Sequence, residues 1–370
     1  MTIPAPPAPA RLLLAFLATA VLAACSGGSG TVVIGTAGPW KEGYALNVRR
    51  AVEMAADEVN ARGGAGGHPV EVAARDDEGD GVKAASIARG FLDDARVVAV
   101  VGHANSGGMV GAAPMYDHGL VAVSPSATSP EITGISRWVF RVTTNDSVNG
   151  ARLAEFAGRL GSRRVAILYE NDVYGRDLAA AFRAAFRGGL VGVDPIPGDG
   201  SRVEPFISYY RRVQPDLVFA AGTTASGRAL LREARRQGLR TQWLAGDGWP
   251  GVQADTAAAE GAYIAIPFSV DDPRPEAQRF VAAFRDRYHQ EPDANAAMAY
   301  DATLLLLKGV AEVGADRPRL RDWVAAVRGA RAYHGVTGDI RFGADGDPEG
   351  TRFVMTRVSG GVLRPVEAAR

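Results

Sequence analysis

Two loops carry most of the candidate chemistry. The apolar run 97–101 leads into Gly102-His103-Ala104-Asn105-Ser106-Gly107-Gly108, and the run 120–123 leads into Ser124-Pro125-Ser126-Ala127-Thr128-Ser129-Pro130. Each loop supplies hydroxyls and, where a helix follows, free backbone N–H groups. That combination suits an anion such as a carboxylate. Ser106 and Thr128 are also ordinary N-cap types, and capping is compatible with ligand binding. A third segment, Gln242-Trp243-Leu244-Ala245 into Gly246-Asp247-Gly248-Trp249, sets Asp247 between glycines. Such an aspartate holds a cation or makes a turn. In a fourth, Tyr169-Glu170-Asn171-Asp172-Val173-Tyr174-Gly175, Tyr174 leads into a helix, facing a ligand or packing over a sheet. His103 lies three residues before Ser106, but a strand-end histidine bonded to backbone is the plainer reading.

These segments all follow short apolar runs, so strands must position them. Val32-Val33-Ile34 is β-branched. Ala45, Val48, Val52, Ala55 and Val59 then step by three and four, which is one helix face. The glycine-rich stretch 63–67 breaks the chain before Val70-Glu71-Val72. Val82, Ala85, Ala88 and Leu92 mark the next helix, and 97–101 reads as a strand buried on both faces. Runs at 165–168, 217–221 and 263–266 repeat the pattern, with helical faces such as Leu178, Ala181, Phe182 and Ala185 between them. Alternating β and α over this length predicts α/β architecture with parallel sheets. The units are too many for one sheet of ordinary size, so two lobes are expected.

Other chemistry has no motif behind it. The chain lacks a G-x-x-x-x-G-K-[ST] loop, a G-x-G-x-x-G after the first strand, a G-x-S-x-G elbow and an H-E-x-x-H pair. Five histidines without metal spacing and a single cysteine leave no zinc set. Catalysis therefore has no positive sign, and neither does a cofactor. Over 370 residues, 41 basic side chains balance 41 acidic ones. A neutral chain does not suit nucleic-acid binding, which needs a basic face.

The first thirty residues read differently. Arg11 precedes an uncharged apolar run at 12–22, too short to span a bilayer, which takes about 20 residues. It fits the hydrophobic core of a secretory signal. Leu22-Ala23-Ala24-Cys25 resembles the lipobox of bacterial lipoproteins, whose cysteine is lipidated and becomes the N-terminus. Residues 1–25 are thus expected to be a signal peptide with lipobox, and 26–30, Ser-Gly-Gly-Ser-Gly, a flexible tether. The longest later apolar candidate, 294–313, carries Asp301 and Lys308. The body should lie outside the cytoplasm, held to the membrane by lipid.

From Thr31 onward the chain resembles the type I periplasmic solute-binding proteins of branched-chain (Leu/Ile/Val) amino-acid ABC transporters. The resemblance rests on Ile34-Gly35 with Gly38-Pro39, Val59-Asn60-Ala61-Arg62-Gly63-Gly64, Arg75-Asp76-Asp77, Val101-Gly102-His103, Ser124 through Glu131, Asp172-Val173-Tyr174-Gly175 and Ala259-Glu260-Gly261, in order. It implies two α/β lobes, each a parallel sheet flanked by helices, with a ligand in the cleft. Three crossover hinges would fall near Asn145, Phe268 and Arg352. The N-terminal lobe would be 31–145 plus 269–351, and the C-terminal lobe 146–268 plus 352–370. Ser106 and Thr128, with backbone at Ser126 and Ala127, would take the ligand carboxylate. Asp247 would take the ammonium, Tyr174 would close over the ligand, and Tyr44 would line the side-chain pocket. The resemblance also implies an ABC permease as partner and binding without bond breaking. The same fold serves in sensing domains for amides, urea or amino acids, which leaves signalling as the alternative. Three departures stand out. Asp247 replaces a longer Glu, Thr223 and Asn295 replace aromatic rings, and Glu78 and Asn105 lie near the places of a missing cysteine pair. Trp40 and Trp249 are candidates to restore apolar lining, or packing residues.

Overall fold

In the computed structural model, residues 1–2, 30–350 and 353–366 are described. The expected signal segment, Cys25, the tether before Gly30 and the crossover residue Arg352 lie outside the described residues. The chain opens with β1 (Val32–Gly38), α1 (Gly43–Ala61), β2 (Val70–Asp76), α2 (Gly81–Asp93), β3 (Val97–Gly102), α3 (Ser106–Tyr116), β4 (Val121–Ser124) and β5 (Val139–Arg141). These strands form one sheet in the order β2-β1-β3-β4-β5, parallel throughout.

A second series follows: α4 (Asp146–Arg159), β6 (Arg164–Glu170), α5 (Val173–Ala185), β7 (Gly189–Ile196), α6 (Glu204–Val213), β8 (Leu217–Ala221), α7 (Thr224–Gln237), β9 (Gln242–Ala245), α8 (Thr256–Ala259) and β10 (Tyr263–Ile266). The chain then adds α9 (Pro275–Tyr288), α10 (Ala294–Val313), α11 (Arg317–Ala325), the hairpin β11 (Tyr333–Gly335) and β12 (Gly338–Ile340), and finally β13 (Val354–Ser359) and β14 (Val362–Pro365). The second sheet runs β14-β13-β10-β9-β8-β6-β7. Its five strands β6 to β10 are parallel, and β13 and β14 add an antiparallel edge hairpin.

The chain thus makes two lobes and crosses between them. Phe280, Phe284, Leu305 and Trp323, from α9 to α11, share a core with Val32, Ile34, Val98 and Val101 of the first sheet. The long apolar candidate is α10, with fifteen buried residues, eleven of them in that core. Among the described residues no helix is long and apolar enough to cross a membrane. The α1 face appears as expected: Ala45, Val48, Val52 and Ala55 are buried. In α2 the expected face is rotated. Ala84, Ala88 and Phe91 are buried, while Val82 is 82% exposed at the helix start, outside the packed stripe.

Each sheet reverses its winding beside one strand pair, β1/β3 in the first and β6/β8 in the second. Crevices at such reversals open beyond the carboxyl ends of the strands. The two crevices face one another and make a single cleft.

A buried ion pair fixes the base of the crossing. Arg141, fully buried at the end of β5, donates to both oxygens of Asp347 at 2.6 and 2.7 Å and to the Ser129 carbonyl at 2.8 Å. Asn145 adds a bond to Asp347 at 2.9 Å. Burial works against the Asp347 charge, yet Arg141, Asn145 and Thr133 hold its carboxyl below the usual range. The bidentate geometry is what makes such a pair tolerable inside a protein.

Candidate functional site: a cleft between two lobes

The cleft holds about 400 Å³, within the roughly 300–1,000 Å³ of small-molecule pockets. Its first-lobe wall comes from the loops after β1 to β4 and from the start of α10. Its second-lobe wall comes from the loops after β6, β8 and β9.

On the first wall, Asn105 caps α3, its side chain accepting from Gly108 N–H at 2.8 Å. Capping therefore falls one residue before the expected Ser106. The Ser106 hydroxyl oxygen instead accepts from the Thr128 and Ser129 N–H groups, both at 3.2 Å. Both lone pairs are then used, and its proton remains to donate. Ser126 does the reverse: its hydroxyl donates to the Ala104 carbonyl at 2.7 Å, leaving lone pairs to accept. Both serines line the cleft.

Ala127 and Thr128 lie behind this wall. Ala127 packs in the apolar layer with Met109 and Ala112. Thr128 is fully buried, and its hydroxyl donates to Asp146 Oδ2 at 2.9 Å. The expected capping role of Thr128 falls instead to Ser129, whose hydroxyl oxygen accepts from Glu131 N–H at the start of the short helical turn 130–132.

On the second wall, the Tyr174 hydroxyl donates to Asp247 Oδ1 at 3.0 Å and accepts from Gly248 N–H at 3.1 Å. Gly248 is required there. A Cβ would overlap the Gly222 carbonyl and stand 2.9 Å from the Tyr174 hydroxyl. Loss of hydration raises the Asp247 carboxyl above its ordinary range, against the Tyr174 bond. Asp146, fully buried, is raised further, by burial and then by the charge of Asp247. Its Oδ1 has no hydrogen-bond partner among the described residues. The sequence reading missed Asp146. Asp177 of α5 accepts from the Ser129 hydroxyl, a bond that ties the two walls together.

Tyr44, Thr223 and Asn295 also line the cleft. Thr223 donates its N–H and its hydroxyl to Glu170 Oε1, at 2.7 and 2.8 Å, and Ser226 donates to the same oxygen at 2.5 Å. Three further lining residues, Asp80, Asp172 and Arg176, were not foreseen. Two of them had a signal, because Asp80 and Asp172 are N-caps at helix starts after strands. Trp249 is fully buried in the second-lobe core, and Trp40 packs against the first. Neither tryptophan lines the cleft, so both are packing residues.

His103 is not bonded as expected. Its Nδ1 meets Asp77 Oδ2 at 2.6 Å and its Nε2 meets the Tyr116 hydroxyl at 2.9 Å, while its carbonyl accepts from Ser124. The His103 and Tyr116 rings and the Asp77 carboxyl are all fully buried beneath the first wall. Among the described residues no cluster of three or more His, Cys, Asp or Glu is placed to hold a metal.

Two α/β lobes with polar strand ends around one cleft define a ligand-binding protein. The sequence profile of the periplasmic binding protein family matches residues 32–361, and the chain belongs to that family. It is 28% identical over 358 residues to the leucine-, isoleucine-, valine-, threonine-, and alanine-binding protein of Pseudomonas aeruginosa, covering 93% of this chain and 94% of that one. The isoleucine complex of LivJ, the branched-chain amino acid transporter substrate-binding protein of Streptococcus pneumoniae, superposes with a TM-score of 0.85 at 26% identity, covering 91% and 99%. A leucine complex of an ABC transporter substrate-binding protein from Desulfitobacterium hafniense has a TM-score of 0.76 at 30% identity, covering 91% and 100%. These relatives are binding proteins rather than enzymes.

Proposed function

We propose that this chain is an extracytoplasmic, lipid-anchored binding protein that captures an amino acid or related small polar ligand and delivers it to an ABC permease. The observation that carries the reading is the opposition of the two walls. The first presents an unspent Ser106 proton and the second presents the Asp247 carboxylate. A ligand carrying a carboxylate and an ammonium complements both. Ser106 takes the carboxylate with help from backbone near Ser126. Asp247, held by Tyr174, takes the ammonium through a charge-assisted contact of about 1.5–3 kcal/mol. Thr128 acts behind the wall by holding Asp146. The crossovers near Asn145, Phe268 and Arg352 serve as hinges, and the closed form docks on the permease. Cys25 carries the lipid.

A thermal-shift screen of the mature domain against amino acids, amides, ureas and short carboxylates tests this. At 100 times its dissociation constant a ligand adds about 2.7 kcal/mol, enough for a shift of a few degrees. Hits among α-amino acids support the reading. Hits confined to amides or ureas overturn the ammonium role of Asp247 and favour a sensor.

A further inference from the structure

We propose that the side-chain end of the cleft selects an amino acid whose side chain carries N–H donors, a carboxamide or a cationic group, over an aliphatic one. This rests on the amino-acid reading above and deepens it.

Asn295 carries the argument. It stands in the first turn of α10, is only 9% exposed and lines the cleft. Its side-chain amide has no hydrogen-bond partner among the described residues. A ligand that closes over this amide without meeting it loses the hydration at a cost, and a ligand that meets it recovers that cost. An aliphatic side chain would seal the amide in without partners.

The neighbours agree. Thr223 has spent both its donors on Glu170, so its hydroxyl faces a ligand as an acceptor. The Tyr44 phenol is held neutral by burial and by the charges of Glu42, Asp77, Asp172 and Glu170. The carboxylates that line the cleft, Asp80, Asp172 and Asp247, disfavour an acidic side chain and favour N–H donors. Arg176 is the one cation in the lining, against Asp80, Asp172 and Asp247. Ala104 and Val173 are its only aliphatic side chains, beside the rings of Tyr44 and Tyr174.

Calorimetric titration of the mature protein with glutamine, asparagine, arginine, lysine, glutamate, leucine, isoleucine and valine tests the proposal. The expected result is that an amide or cationic amino acid binds at least tenfold tighter than every aliphatic one. The amide and cationic arms tell the two donor sources apart. In Asn295→Leu and Asn295→Ala, the preferred ligand should weaken about tenfold and its advantage over leucine should narrow, with the unliganded melting temperature held in at least one variant. Tightest binding of an aliphatic amino acid or of glutamate, or an unchanged selectivity ratio in both variants, overturns the proposal. Binding of leucine that depends on Asp247, with none of glutamine or arginine, sinks this inference alone. Failure of every amino acid to bind sinks the parent reading with it.

Discussion

The two walls of the cleft are built from the same unit, a parallel strand running into a helix start, yet they present opposite chemistry. The first wall offers hydroxyls whose other bonds are committed to backbone: Ser106 accepts twice and Ser126 donates once. The second offers a carboxylate steadied by a phenol, with a second carboxylate behind it. The scaffold sets where the groups stand, and loop residue types set their sign. The side chains are thereby divided between the lobes, hydroxyls on one and the Asp247 carboxylate on the other, and the proposed ligand, carrying a carboxylate and an ammonium, would bridge them.

That division can be broken from the second wall first. Asp247→Ala removes the ammonium partner and is expected to abolish binding, a loss of about 2–5 kcal/mol when one member of a desolvated charge pair is removed. Its unliganded melting temperature should hold or rise, because a carboxylate disfavoured by desolvation is gone. Binding at wild-type affinity would contradict the assignment. Stability should respond most at the base of the crossing. Arg141→Ala strands the Asp347 carboxylate and is expected to cost about 3–5 kcal/mol in denaturant unfolding.

The first wall should show a smaller effect. Ser106→Ala removes one donor to the ligand and one acceptor for two backbone N–H groups. Affinity should fall about two- to tenfold, about 0.5–1.5 kcal/mol, with some stability lost as well. Thr128→Val should cost stability, since it leaves Asp146 without its donor, but should weaken binding less than Ser106→Ala does. Equal losses of affinity would return Thr128 to the ligand.

The acid pair gives the mildest and most specific signature. Asp146 is raised by burial, then by Asp247 and Asp177, against Thr128 and Arg141; Asp247 is raised by burial against Tyr174. With folded values raised, the empty cleft keeps a proton above the usual carboxylate range. An ammonium at Asp247 lowers that range again. Binding should therefore release part of a proton, and affinity should increase as pH rises through the raised range. Titration in buffers of different ionisation enthalpy checks the sign, and proton uptake would contradict it.

Much of this was legible in the sequence. Alternating apolar runs gave α/β lobes, and strand ends located the loops of Ser106, Ser126, Tyr174 and Asp247. What stayed hidden depends on packing between distant segments. Asn105 and Ser106 are nearly equal as caps, and only the approach of Thr128 and Ser129 to the Ser106 oxygen decides between them. Trp249 fills space left by Gly227, 22 positions earlier, which no local pattern reveals. Val82 looked like a core residue by spacing, but Phe91 covers the Gly35 backbone of β1 and sets the buried face of α2. Asp146 was passed over because its place behind Asp247 arises only when the second lobe folds back beside the first.

The most direct test of the divided cleft compares three molecules on the wild-type protein: the preferred amino acid, its amine lacking the carboxylate, and its acid lacking the ammonium. Calorimetry should find both analogues weaker by at least about tenfold, since each loses a charge-assisted contact of about 1.5–3 kcal/mol and leaves its wall unmatched. An analogue that binds as tightly as the amino acid would contradict the account.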